Sequence, residues 1–253
     1  MSKKMKKILS VILTVACLGV FIYASQGLIT TALDYYENRQ VMGDLQETFY
    51  DVEMDKNERN NNSQTIRSGF DTLLEENEDL VGWITMEGTQ IDYPIVQAGD
   101  NVEYLTRNFY KDDNRAGSIF MDFRNDIESA GENTILYGHR MKDGSMFEQL
   151  SKYQDAEFFE AHQTFQFDTL YDSYEAEIFA VYATTTDFNY IQTDFANDEE
   201  YEQLIKNIEA ESIYETDVEV SASDQIITLS TCDYVLDEDK GRLVVQAKLV
   251  SKG

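Results

Sequence analysis

Hydrophobic and polar positions divide this chain into stretches of different period. Ile8 to Ala24 is an uncharged apolar run of 17 residues, extended by the weakly polar Gln26 to Leu33 before the first acid at Asp34. That is at the short limit for a helix that crosses a bilayer. Asp34 to Tyr50 has helical spacing, Asp51 to Thr65 with its Asn60-Asn-Asn-Ser63 reads as a polar break, and Ile66 to Asn77 returns to helical spacing. From Val81 the period shortens to two. Strands are predicted at 81–86, 90–96, 117–123, 133–138, 164–170 and 174–184, with Glu87-Gly-Thr89 and Tyr171-Asp-Ser173 closing two hairpins. Pro94, the chain's only proline, points to an edge or strand-end position because it lacks a backbone donor. Asp100-Asn-Val-Glu103 has the form of a helix start and predicts a helix to Asn108. Ser145 is the expected cap of a short helix at 146–150, and a further amphipathic helix is centred on Phe158.

Thr185 to Asp224 is a long connection with a helix expected at Glu199–Glu209, its buried stripe being Leu204, Ile205 and Ile208. Connections of that length in a small β domain usually carry function. The last two runs alternate most regularly. In 226–232, Ile227, Leu229 and Thr231 share one face and Thr228, Ser230 and Cys232 the other. In 242–249, Leu243, Val245, Ala247 and Leu249 face a core while Arg242, Val244, Gln246 and Lys248 face away. Joined by the acidic loop 235–241, the two runs pair antiparallel with Cys232 beside Arg242.

A length of 253 residues accommodates a membrane segment and one domain with a real core. Lys3, Lys4, Lys6 and Lys7 precede the apolar run, which sets the N-terminus inside the cell and the remainder outside. A cleaved signal peptide is the competing reading, but Ile22-Tyr-Ala24 is a poor small-x-small site and an uncleaved anchor is favoured. Cys17 lies within the apolar run and reads as membrane-buried, with Thr14 standing where a lipoprotein signal calls for leucine. All 48 acidic residues lie beyond residue 33, together with 16 of the 20 Lys and Arg, so the external part carries −32. Nucleic acid and anionic lipid are disfavoured as partners. Cys232 is then the lone external thiol, and no intramolecular disulfide is available to it. The acidic residues lack the spacing of a calcium loop, and neither metal nor cofactor is expected.

Cys232 and Arg242 place a thiol beside a permanent cation. A free thiol, with a pKa of about 8.5, is only roughly 3% thiolate at neutral pH, and the thiolate is the nucleophile. A guanidinium favours that thiolate and can donate to the oxyanion formed when sulfur attacks a carbonyl. The spacing alone leaves open a small buried cysteine at a strand end. A proton carrier must come from the two histidines. His139 follows the strand-like Asn133-Thr-Ile-Leu-Tyr-Gly138 and can converge on another strand end, whereas His162 lies in the short helix near Phe158 and reads as a surface residue.

Leu229-Ser-Thr-Cys232 with the downstream Arg242-Leu-Val-Val, preceded by Asn133-Thr-Ile-Leu-Tyr-Gly-His139 and Met146-Phe147, resembles the sortases. Val81-Gly-Trp-Ile84, Ile91-Asp-Tyr-Pro-Ile-Val-Gln97, Asn108-Phe-Tyr110 and Ala116-Gly-Ser-Ile-Phe-Met-Asp-Phe-Arg-Asn125 narrow the resemblance to class B, over residues 70 to 250. It implies a mainly β fold with helices: a closed β-barrel of eight strands or so, N-terminal helices packed on it, and a long helix-bearing loop before the cysteine strand that walls the substrate groove. The domains expected are a basic tail and membrane anchor at 1–33, a helix and polar linker at 34–69, and the catalytic domain at 70–253.

The activity implied is that of a membrane-anchored cysteine transpeptidase of a Gram-positive bacterium. Such an enzyme cleaves the C-terminal sorting signal of a surface protein after threonine and joins the threonine carbonyl to an amine of a peptidoglycan precursor. Cys232 is the implied nucleophile, His139 the general acid and base, and Arg242 the oxyanion or substrate stabiliser, with Ser230 and Thr231 lining the substrate site. Asp233 could bond His139 or substrate, but an acidic neighbour raises a thiol's pKa, and it stays outside the catalytic set. Free thiols and imidazoles titrate near about 8.5 and 6.5, so a thiolate–imidazolium pair is a minority state at neutral pH unless its surroundings shift those values. A pilin polymerase using a lysine acceptor and a peptidase using water remain alternatives, as does a non-enzymatic surface protein.

Overall fold

A computed structural model describes residues 3–55, 66–67, 69–126 and 131–252, and the polar break expected at 51–65 lies outside them from residue 56 onward. The chain forms two compact units, Met1–Gln40 and Val41–Gly253. One continuous helix, α1 (Lys3–Asp55), makes up the described part of the first unit and opens the second. In the first unit Val11, Leu13, Val20 and Phe21 are exposed, and the helix is long and apolar enough to cross a membrane.

The second unit is a barrel. Strands β1 (Leu80–Thr85), β2 (Asp92–Val96), β3 (Ile119–Met121), β4 (Asn133–Tyr137), β5 (Thr164–Thr169), β6 (Ser173–Thr185), β7 (Ile226–Cys232) and β8 (Gly241–Ser251) follow the chain. They close in the order β1-β2-β3-β4-β7-β8-β6-β5, with β5 pairing back to β1. The eight-strand closed barrel matches the expectation. β2–β3 and β4–β7 are parallel pairs and the rest antiparallel. A parallel neighbour cannot be reached by a tight turn, so residues 138–225 leave and return before β7 docks on β4.

One apolar cluster fills the barrel and extends under the helices packed on it, α2 (Phe70–Glu76) and the part of α1 that belongs to this unit. Phe49 stacks on Trp83 at 4.3 Å, a pairing worth about 0.5–1.5 kcal/mol beyond the area it buries. Asp92 Oδ1 fixes the same corner by accepting from Trp83 Nε1 at 2.7 Å and from the Tyr50 hydroxyl at 2.9 Å. A second cluster lies outside the barrel, where α4 (Asp198–Glu211) lays Tyr201, Leu204, Ile205 and Ile208 over Phe179, Tyr182, Ile226 and Val244. Asn197 caps this helix by accepting from Glu200 N–H at 3.0 Å.

That outer layer changes the meaning of the alternation in β7 and β8. Thr228, Ser230 and Gln246, on the face expected to point away from the core, are buried. Other local expectations are corrected as well. Asp100 accepts from Val102 and Glu103 N–H at 2.8 and 3.0 Å as expected of a helix start, but the cap position itself is Val102. Only a 3-10 turn at Glu103–Leu105 follows, however, because Arg107 bridges Asp113 and Asn108 N–H donates to the Asp112 carbonyl, turning the chain back. The helix after residue 145 is a 3-10 helix at Phe147–Gln154 that starts from Met146, and the Ser145 hydroxyl donates to Asp143 instead of capping it. Pro94 is mid-strand in a closed barrel, tolerated because the β2–β3 ladder begins only at Ile95. His162, expected at the surface, is half-buried at the end of α3 (Ala156–Ala161), stacked on Phe158 at 4.2 Å and seated against Gly88, whose φ is +75°.

Candidate active site

β7 ends at Cys232, β8 opens at Gly241, and their antiparallel register sets Cys232 opposite Arg242. β4 runs parallel to β7 with Tyr137 opposite Ser230, and Gly138 N–H donates to the Ser230 carbonyl at 3.3 Å. His139 lies two residues past that last pair on its strand's exit, as Cys232 does at the end of β7. β4 ends opposite Ser230, two residues before β7 ends at Cys232, and β8 begins beside that end, so His139, Cys232 and Arg242 all lie at one rim of the barrel. All three are half-buried.

His139 is held at backbone and ring. Its carbonyl accepts from Phe147 N–H at 3.0 Å, and its Nε2 lies 2.7 Å from the Leu105 carbonyl. A carbonyl oxygen only accepts, so Nε2 carries hydrogen in this contact and Nδ1 is left to exchange a proton. Arg242 Nη1 donates to the Gly241 and Asp239 carbonyls at 2.8 and 3.3 Å, which fixes the guanidinium at the start of its strand. Ser230 is buried, its hydroxyl 2.9 Å from that of Tyr190. Thr231 falls on the inward side with Ile227 and Leu229, and its buried hydroxyl has no hydrogen-bond partner among the described residues.

Asp233 is committed elsewhere than to His139. Its carboxylate pairs with Arg140 at 3.0 Å, the two side chains 6% and 20% exposed, and also accepts from Val235 N–H at 3.1 Å. The residue after the histidine is thus tied to the residue after the cysteine. An Arg and an Asp each following a candidate site residue were visible in the sequence as a pair of opposite charges.

Two tyrosines complete the surroundings. Burial pushes the Tyr190 phenol up, against the Ser230 bond and the Arg242 charge, with Cys232 adding a smaller upward push. Partial burial and then Cys232, by charge and hydrogen bond, push the Tyr234 phenol up, while Arg242 and Arg140 oppose them. Both phenols thus feel the thiol and the guanidinium. Nothing in the sequence separates these two from the other tyrosines of the chain.

The long connection is fastened by its backbone. Asn133 Nδ2 donates to the Tyr190 and Gln192 carbonyls at 3.1 and 3.0 Å, and Arg124 Nη2 donates to the Ile191 carbonyl between them at 3.0 Å. Asn133 is itself held from the Thr228 hydroxyl at 2.7 Å, which accepts from Gln246 at 2.8 Å, which accepts from the Tyr182 hydroxyl at 2.7 Å. Arg124 is gripped by both oxygens of Asp122 at 2.8 and 2.7 Å. Burial would raise the Asp122 carboxyl, but Arg124, the Tyr137 hydroxyl and Asn101 outweigh it and hold the group below the usual carboxylate range.

The family model described as the sortase domain matches residues 84–250. A sortase B of Listeria monocytogenes is 44% identical over 249 residues, spanning 98% of this chain and 100% of the relative. Among solved structures, a sortase B from Bacillus anthracis is 52% identical with a TM-score of 0.78, covering 87% of this chain and 99% of that one. A Staphylococcus aureus sortase B–substrate complex is 38% identical with a TM-score of 0.79, covering 87% and 100%. With identity at this level along nearly the whole length and the same barrel beneath it, the chain belongs to the sortase family, in its sortase B branch, and is a cysteine transpeptidase.

Proposed function

We propose that the chain is anchored in the cell membrane by residues 1–33, basic tail inward and residues 70–253 outside, and that it attaches surface proteins to the cell wall. Cys232 thiolate attacks the carbonyl of a threonine within a C-terminal sorting signal. The S–C bond forms, and the negative charge on oxygen is met by the Arg242 guanidinium. The C–N bond then breaks as His139, protonated on Nδ1, gives that proton to the departing amine. In the second half Nδ1 takes a proton from the incoming primary amine of a peptidoglycan precursor, the new C–N bond forms, and the C–S bond breaks to return the thiolate. Ser230 is assigned to the substrate side of the strand end, through its bond to Tyr190, and Thr231, whose side chain turns inward, is assigned there through its backbone alone.

What supports this reading is one feature above the others, the pairing of Cys232 with Arg242 on antiparallel strands beside the parallel strand that delivers His139. The test uses the full-length chain in detergent with a library of sorting-signal peptides, with and without triglycine, and mass spectrometry of the products. Cleavage after threonine, triglycine joined to the threonine, and loss of both in Cys232→Ala are expected. Product carrying only water under every amine offered would defeat the transfer step, and wild-type behaviour of Cys232→Ala would defeat the nucleophile.

A further inference from the structure

The oxygen that holds the His139 ring belongs to a backbone crowded by a glycine. Leu105 ends the 3-10 turn at Glu103–Leu105, and this segment lies directly on Gly117. A Cβ at position 117 would stand 2.5 Å from the Tyr104 carbonyl oxygen and 2.7 Å from the Leu105 carbonyl oxygen. Both atoms are backbone, so neither can swing aside as a side-chain end would. Gly117 also has a φ of +59°, a region that costs most side chains energy.

The surrounding bonds give the segment little slack. Ser118 N–H donates to the Tyr104 carbonyl at 3.0 Å, Asn114 N–H to the Thr106 carbonyl at 2.8 Å, and the Ser118 hydroxyl to the Arg107 carbonyl at 2.9 Å. The carbonyls of 104, 106 and 107 are thus tied to the loop 114–118. The Leu105 carbonyl, within that series, goes to His139 Nε2 at 2.7 Å instead.

We propose that Gly117 is a positioning residue for His139. Its missing side chain lets the Leu105 carbonyl approach Nε2–H, which selects one neutral tautomer and aims Nδ1 at the reacting groups. The kinetic consequence rests on His139 being the acid and base of the proposed reaction, whereas the tautomer does not. A requirement for positive φ alone would be met by asparagine, which tolerates that backbone region, and this separates the two explanations. Gly117→Ala and Gly117→Asn both add the offending Cβ.

The experiment is 15N NMR of histidine-labelled full-length protein in detergent at alkaline pH, with His162→Gln identifying the His139 signals, alongside peptide kinetics and circular dichroism. Wild type is expected to show His139 as the Nε2–H tautomer. Folded Gly117→Ala and Gly117→Asn are expected to show both tautomers and a fall in kcat on the order of 10²-fold, with the peptide KM little changed. A folded Gly117→Asn with wild-type tautomer and rate overturns the proposal, as does a wild-type spectrum showing Nδ1–H. Should neither variant fold, Gly117 serves the fold itself and the positioning role is refuted. Full activity in His139→Ala is a distinct result, refuting the acid and base role and leaving the tautomer measurement to judge Gly117.

Discussion

The inner face of β7 and β8 sets Ile227, Leu229, Leu243, Val245 and Ala247 into the barrel core, and the outer face sets Thr228, Ser230, Gln246 and Val244 beneath α4 and its connection. Both faces are buried, yet they are held by different forces. The inner one is stabilised by area removed from water, which has no direction and accepts substitutes of similar volume. The outer one is a relay of donors and acceptors in which Tyr182, Gln246, Thr228 and Asn133 each have a specific partner. Buried polar groups are costly when left unsatisfied and specify one arrangement when satisfied. The barrel is thus secured from inside, and the long connection is placed from outside. Cys232, by the alternation of its strand, stands at the end of the outer row.

The sharpest break between the faces is at that end. Cys232→Ala should lower transpeptidation by about 10⁴-fold or more while leaving the thermal transition in place, as peptide turnover and calorimetry would show; a large fall in melting temperature would make the cysteine structural. Leu229→Ala, three positions back on the inner face, should do the reverse. It is expected to cost about 2–5 kcal/mol in urea unfolding, with per-molecule activity of the remaining folded protein near wild type. Asn133→Ala should lie between the two, losing about 1–3 kcal/mol for the buried groups left without partners and, if the connection borders bound peptide as the proposed function has it, raising the KM for peptide as residues 190–192 loosen. A stability loss with unchanged KM would show that the fastening does not govern the groove.

The smallest effect is set by pH. The Asp122 carboxyl is held below its unfolded value of about 3.9, chiefly by Arg124 and Tyr137 against the cost of burial. A depressed carboxyl adds stability that is complete above the unfolded value and disappears as pH falls through the folded one. Wild type and Asp122→Asn should therefore differ most at neutral pH and converge in acid, in denaturant titrations run along a pH series. Parallel curves would mean that Asp122 does not carry the acid sensitivity of this fastening.

How much of this could be read from residues alone differs between the same two faces. The strands at 226–232 and 242–249, their pairing and the meeting of Cys232 with Arg242 follow from a period of two and a short loop, both local properties. The parallel docking of β4 on β7 is not local, and only the strand-like run before His139 hinted at it. The burial of the outer face depends on α4, whose own stripe of Leu204, Ile205 and Ile208 was plain while the surface it covers was not. Asp100 was legible as an acceptor for the amides that follow it, but the length of the helix after it is decided by the Arg107–Asp113 bridge that reverses the chain. The Leu105 carbonyl could not be found at all, since every residue has one and only the fold aims it.

The fastening of the long connection through the Tyr190, Ile191 and Gln192 carbonyls has an evolutionary side. Main-chain oxygens are the same whatever residue carries them, so Asn133 and Arg124 grip the loop without reading its sequence. A change at Ile191 alters the side chain that the connection carries while its main-chain fastenings stay in place. The side chains of this segment can then drift by single substitutions while its path is inherited from elsewhere in the barrel. Grafting the segment onto another barrel should succeed only when Asn133 and Arg124 travel with it.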